Sequence, residues 1–573
     1  MKRFATICGH VLLLLSAGCG DGSAPEPTII LSDASLSFTA VEGFADPSSQ
    51  TVQVTYTDTA LQQAPVATVT YQTGSGWLST SVTGSTQPFE VTLQVTVGLL
   101  ASGTYEATVV VGCAGADPSV EIAVLLEVVP PAAPEIISTP SATAVVGLLY
   151  RYELVMSGAP APTVTVTGLD GWMLFDESGR ALYGVPRAAD VGETGTVSVT
   201  ATNGVGSDDV QEFTVTVARP AGEAYAWGAN WYGQLGDGST VASSTHVAVA
   251  GLADVVVLDA RRDHSHASTS DGATWSWGEN YGGQLGDGTT EHRSTPVAVA
   301  GVADVVSFAG GRDFTIALAA DGTLWSWGAN SYGQLGDGTY ESRTTPAVIP
   351  GMTGVAAVAG RAVHAHAVMS DGTVMSWGEN GSGQLGDGTT ETRTAPVPVS
   401  GLANVVAVAA GGFHCVAVAT DGSVWSWGGN FEGQLGSDTA GYRPTPAQVD
   451  GLPRVASVAA GGFFSVALAA DGTVWAWGSN LSGELGTGTT DGSATPVHVA
   501  GLSDVVAVAV GKDHVVALDA AGTVWTWGDN AEGQLGDGTT EDRSLPAAVG
   551  GMTGVFSVAG GMGHSLVLTS GLP

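Results

Sequence analysis

The stretch Gly286-Asp-Gly-Thr289 has the residue types of a ligand cradle. Glycines let backbone N–H groups approach a phosphate, and Asp with hydroxyls is the raw material of a calcium loop. The tetrad recurs at 336, 386 and 536, becomes Gly-Asp-Gly-Ser at 236, and degenerates to Gly-Ser-Asp-Thr at 436 and Gly-Thr-Gly-Thr at 486. A phosphate loop needs Gly-Lys-Ser/Thr opening a helix, and neither the lysine nor the helix is here. Asp287 and Glu291 alone supply too few oxygens for calcium. A motif present in every repeat is scaffold. Its glycines supply turns, Asp accepts turn N–H bonds, and Leu285-type residues plug the space between repeats. An Arg follows at 293, 343, 393, 443 and 543, placed to pair with such Asp groups.

Other reactive types give the same answer. His264, His364, His414, His514 and His564 share one repeat position, which Phe314 and Phe464 fill elsewhere. Exchange with Phe points to packing rather than metal ligation. Tryptophan pairs such as Trp275/Trp277 alternate along one strand and read as packing, not a sugar platform. Cys113 and Cys415 fall in different domains with no metal-ligand spacing, so both read as buried, apolar side chains rather than a disulfide. Asp208 and Asp209 are two carboxylates, short of a calcium cage. No Ser/His/Asp or Cys/His constellation stands apart from the repeat. The expectation is therefore no enzyme, no catalytic residue, no metal and no cofactor.

Binding chemistry is expected where the repeats differ. One variable set follows Trp-Gly-x-Asn: Trp231, Tyr232, Tyr281, Tyr332 and Phe431, against Gly381-Ser382 and Ala531-Glu532. A second precedes the His/Phe position: Arg262, Arg312, Phe413, Phe463 and Lys512. Aromatic and Arg anchors on loops of a rigid scaffold are what protein interfaces use.

The elements that must position these residues come from the period. Seven tryptophans from Trp227 to Trp527, each followed by Gly, stand 50 residues apart without an insertion. A fixed period outranks local signals. One unit offers four short strands, in one copy Val305–Ala309, Phe314–Ala319, Thr323–Gly328 and Ala347–Ile349, with Asp321-Gly322 as a type I′ hairpin turn. Four strands per repeat make a propeller blade, so the fold class is all-β with a seven-bladed β-propeller over 221–570. The first unit begins in the third strand and the last ends in the second. "EAYAWGAN" should thus share a blade with "VFSVAGGMGHSLVLT", and removing about ten C-terminal residues should destabilise the whole ring. The pattern W-G-x-N-x-x-G-Q-L-G-D-G-T, then V-x-x-V-A-x-G-x-x-H and A-L-x-x-D-G-T-V-W, resembles the regulator of chromosome condensation repeat. That resemblance implies the propeller but not a function.

Upstream, residues 29–129 and 130–219 alternate in period two between Gly, Pro and Ser turns, which predicts two β-sandwich spacers. The first resembles the carbohydrate-associated Bacteroidetes-type Ig-like domain. The second, with Trp172-x-x-Phe-Asp and Ala201-Thr-Asn-Gly landmarks, resembles bacterial Ig-like domains related to cadherin-like modules. Residues 19–28 read as a tether. Lys2, Arg3, the apolar run Ile7–Leu15 and "LSAGC" ending at Cys19 resemble a bacterial lipoprotein signal over 1–18. The resemblance implies cleavage before Cys19 and lipidation of its thiol.

A net charge of −37 with only two lysines, Lys2 and Lys512, excludes nucleic acid as a partner of the folded domains. The expectation is an exported, lipid-anchored scaffold at the cell envelope, in the outer membrane or at the cell surface in a diderm host. Its propeller would bind a protein, and a small GTPase is not expected. Secreted bacterial propellers that resemble this one include a proteinaceous β-lactamase inhibitor, which implies binding without naming a target. Carbohydrate or cell-wall binding is the alternative, and a propeller hydrolase or lyase a third.

Overall fold

A computed structural model describes residues 27–571 apart from 115 and 440. Cys19 and the signal lie outside the described residues. The chain forms two compact units.

The first unit is a sandwich of two four-stranded sheets. Alternation does the work: in Phe89–Val95 every second side chain is buried, and these pack with Phe38, Val52, Val54 and Trp77 into one core. Cys113 is only half-buried, and its thiol points at the Gln63 carbonyl. That corrects the expectation of a buried side chain, because it lies at the end of the strand Gly103–Cys113.

The second unit holds a smaller sandwich and the propeller. The sandwich is built from three-stranded sheets around Tyr150, Tyr152, Trp172, Leu182 and Val199. The propeller consists of seven four-stranded sheets. Blades 1 to 6 run in strand order from Val255, Val305, Val355, Val405, Val455 and Val505. Blade 7 joins the chain ends: Glu223–Gly228 pairs with His564–Thr569 over its full length. The closure expected from the repeat phase is present, so no edge strand is left open at the seam.

Two local expectations need correction. The fourth strand of blade 2 is Arg343–Val348, not Ala347–Ile349, because Gly328 pairs with Arg343 across a bulge. The turn at Asp321-Gly322 is not type I′, since only Gly322 has positive φ (83°). Gly322 N–H donates to Ala319 O at 3.0 Å and Asp321 Oδ1 accepts from Thr323 N–H at 2.9 Å. The result is a four-residue turn with one left-handed glycine.

The smaller sandwich is more than a spacer. Leu149 N–H donates to Val506 O at 2.7 Å, Arg151 reaches Asp471 O at 3.2 Å, and Arg454 pairs with Asp176 at 3.0 Å. Leu149 and Tyr183 join the hydrophobic cluster of blades 5 and 6. Trp172 and Val185 share a small cavity with Ala357, Ala407 and Ser457 of the innermost strands. The sandwich therefore covers one face of the propeller.

Candidate functional site

The repeated tetrad is a structural turn. Asp287 Oδ1 accepts from Thr289 N–H (3.0 Å) and Oγ1–H (2.7 Å), and Oδ2 accepts from Arg293 at 2.7 Å. Burial opposes ionisation, but these hydrogen bonds hold the Asp287 carboxyl below its ordinary value. Leu285 is buried, its N–H fixed by Asn280 Oδ1. Gly286 has φ +70°, and a Cβ there would sit 2.7 Å from Trp327 Nε1 of the next blade. Arg343, Arg393 and Arg543 repeat the ion pair with Asp337, Asp387 and Asp537. Arg443 does not, because residue 437 is Ser; its guanidinium turns to the Ser426 carbonyl and hydroxyl instead.

The histidines form a latch between blades. His414 Nε2 meets Ser465 Oγ of the next blade at 2.9 Å, and Ser465 Oγ–H donates to Gln434 O. The same carbonyl accepts the Trp477 indole N–H at 2.9 Å. His514–Ser565, His264–Thr315 and, across the closing seam, His564–Ser265 repeat the contact. Where Phe314 and Phe464 replace His, the residue 51 positions on is Ala365 or Val515. His364 faces Cys415 at that register, and both of its ring nitrogens lack a partner. Cys415 is buried, which pushes its thiol far up. The sequence predicts packing; four of the five histidines add to it a hydrogen-bond contact with a hydroxyl of the next blade.

The two variable loop sets share one face. The loop after the third strand bonds to the loop between the first and second, as in Glu279 N–H to Asp263 O (2.8 Å) and Gly429 N–H to Phe413 O (2.7 Å). The inner loops are also linked to one another: Arg312 N–H to Ala362 O, Gly462 N–H to Lys512 O and Met562 N–H to Arg262 O. Arg262, Arg312, Phe413, Phe463 and Lys512 all line the mouth of the central channel, a cavity of about 230 Å³. Around it run ion pairs, Arg262 to Asp263 and Asp313, Arg312 to Asp313 and Lys512 to Asp513. Glu279 on the same face is pushed up to about 7 by burial and by Asp263.

Aromatic residues gather on two arcs of this face. Tyr232 and Tyr281 stand 5.9 Å apart, with His292 at 4.3 Å from Tyr281. Phe413 bridges Phe431 (6.0 Å) and Phe463 (5.7 Å). Trp231 and Tyr332 are exposed but belong to neither cluster. Among the described residues no group of three or more His, Cys, Asp or Glu could hold a metal ion.

The model of the regulator of chromosome condensation (RCC1) repeat matches six segments, 271–318, 321–367, 371–418, 421–468, 471–518 and 521–568. The chain belongs to the RCC1 repeat family. Residues 221–268, outside these segments, complete the ring with two strands of blade 7 and two of blade 1. Human WBSCR16 matches at 26% identity with a TM-score of 0.57, over 61% of this chain and 99% of its own. Prp20p of Saccharomyces cerevisiae matches at 23% identity and 0.57, over 62% and 93%. Yeast RCC1 (Prp20) bound to Kap60 matches at 22% and 0.56, over 61% and 89%. No curated protein matches the chain in sequence.

Within this RCC1 fold, sequence reasoning missed Arg261, Arg361 and Met562, which also line the mouth. A signal existed: Arg-x-x-His-x-His occurs at 261–266 and again at 361–366 and in no other repeat. His292 was missed too, because its turn position is aromatic in only one other repeat, as Tyr442.

Proposed function

We propose that this is an exported, lipid-anchored bacterial protein of the cell envelope whose propeller binds a protein partner on the loop-bearing face. The observation that carries the reading is the asymmetry of the ring. One face is covered by the smaller sandwich through Arg454, Leu149 and Arg151. The other presents Tyr281 (67% exposed), Trp231 (60%) and Phe431 (55%) on hydrogen-bonded loops. Large exposed aromatics on a preorganised frame are interface anchors that lose little entropy on binding. The two Prp20 structures are described through protein partners, Gsp1p and histones in one and Kap60 in the other. Export to the envelope would keep a small GTPase out of reach, and a −37 chain repels nucleic acid.

Crosslinking at the surface of the native host tests this. The captured protein should crosslink to the loop-bearing face, and Tyr281→Ala with Phe431→Ala should weaken its binding at least about tenfold. Retention on a glycan array with affinity unchanged in that double variant would overturn the reading in favour of a carbohydrate module. Cys19→Ser should move the protein from the membrane to the soluble envelope fraction, and an unchanged membrane fraction would remove the lipid anchor.

A further inference from the structure

We propose that the mouth of the central channel is a binding site for a carboxylate carried on an apolar body. The chain has 54 acidic residues against 17 basic ones, yet every charged residue lining this cavity is cationic. Two of them lie side by side. Arg261 Nη1 donates to Gly360 O at 3.2 Å, which sets it next to Arg361. Arg261 is paired with Asp259. Arg361 makes a single long bond, Nη1–H to Ala460 O at 3.4 Å, and among the described residues it has no carboxylate partner. Burial and repulsion from Arg261, only partly offset by the more distant Asp513 carboxylate, lower Arg361 to about 10, so it stays charged at neutral pH.

The ring does not need these arginines. The equivalent positions are Gly311, Gly411, Gly461, Gly511 and Gly561. A Cβ at Gly411 or Gly511 would sit 2.1 or 2.0 Å from the ring of His414 or His514. A side chain here therefore demands a rebuilt second strand. Both Arg blades have one: His266 and His366 stand where other blades carry Ile, Val or Leu, each packed on the preceding histidine at 5.0 and 5.3 Å. A guanidinium with no ion-pair partner beside a second one weakens the fold unless an anion joins them.

The walls select the anion. Phe413, Phe463 and Met562 make them largely apolar. The backbone N–H groups of Arg312, Gly412, Gly462 and Met562 are spent on the loop ring. What remains to bind an anion is the guanidinium fork, which matches a planar carboxylate.

Calorimetry on the full chain tests the proposal, with 3-phenylpropionate and a blocked Phe-Glu dipeptide as probes and their amide counterparts as controls. At least one carboxylate should bind saturably and its amide should not. Arg361→Gln should weaken binding at least about tenfold while leaving the unliganded Tm unchanged or higher. Binding of 3-phenylpropionate alone assigns a free small acid; binding of the dipeptide assigns an acidic side chain delivered by a protein. Neither carboxylate binding, amides binding equally, or Arg361→Gln binding like the parent would each overturn the site. So would a fall in unliganded Tm, which marks Arg361 as structural. If Arg361→Gln does not fold, Arg361→Lys, which keeps charge but loses the fork, is read the same way. Partner capture on the aromatic loops is scored separately, so either idea can fail alone.

Discussion

His414 and Ser465 show how one residue pair holds two blades together. The imidazole of blade 4 meets a hydroxyl of blade 5, and that hydroxyl also reaches Gln434 O. His414→Phe would leave Ser465 facing a ring with no acceptor or donor, at a cost of about 1–2 kcal/mol. Adding Ser465→Val recreates the Phe464/Val515 junction and should recover about 1 kcal/mol, read as a coupling energy in a denaturation double-mutant cycle. Additive losses would show that the latch is not a unit. The same histidines set an acid limit. Burial lowers His414, His514 and His564 to about 3 and His364 to about 4. Their folded values lie below the unfolded ~6.5. Their contribution is therefore complete above pH 6.5 and is lost progressively as pH falls toward 3. Burial raises Asp259 to about 6 and Glu279 to about 7, and these work in the opposite sense, losing stability as pH rises. The histidines outnumber them, so Tm should drop between pH 7 and 4.5. The Phe/Val double variant should show a shallower drop.

At the scale of the element, the turn of blade 4 carries a built-in flaw. Ser437 Oγ and Arg443 Nε are both buried without a partner, where four other blades pair Asp with Arg. Ser437→Asp with Asp438→Gly restores Gly-Asp-Gly-Thr and should raise stability by about 1 kcal/mol, seen as a higher Tm. No gain would mean that the Arg443 bonds to Ser426 already suffice. This turn also shows what a sequence can reveal. The Asp–Arg pairing was legible because both residues recur at a fixed offset, and the blade closure because the repeat is out of phase at its ends. The start of the fourth strand was not, since a bulge at Gly328 shifts register without changing composition. The loop sets could be named but not placed on one face, because their juxtaposition depends on bonds such as Gly429 to Phe413. The Arg261/Arg361 pair was hidden because it consists of departures from a glycine position in two non-adjacent blades.

For the propeller-bearing unit as a whole, the decisive contact joins residues far apart in sequence, which no local pattern announces. Asp176 keeps a carboxyl below its ordinary value against the cost of burial, through Ser178, the Gly179 N–H and Arg454. Only the Arg454 contact crosses from sandwich to propeller, at 3.0 Å with Arg454 partly exposed. Such a pair is worth about 1 kcal/mol, but it acts beside Leu149 and Tyr183 in a shared apolar cluster. Arg454→Glu replaces attraction with repulsion over that cluster. The sandwich should then lift, giving a larger radius of gyration by solution scattering and faster proteolysis near 219–222, while propeller Tm changes little because the seven-blade closure is independent of it. Charge reversal, Asp176→Arg with Arg454→Glu, should restore both readouts. If the single variant scatters like the parent, apolar contact alone holds the sandwich, and the covered face owes nothing to the ion pair. If it lifts, the ion pair is what seats the sandwich, and the apolar cluster of Leu149 and Tyr183 is too weak to hold it alone.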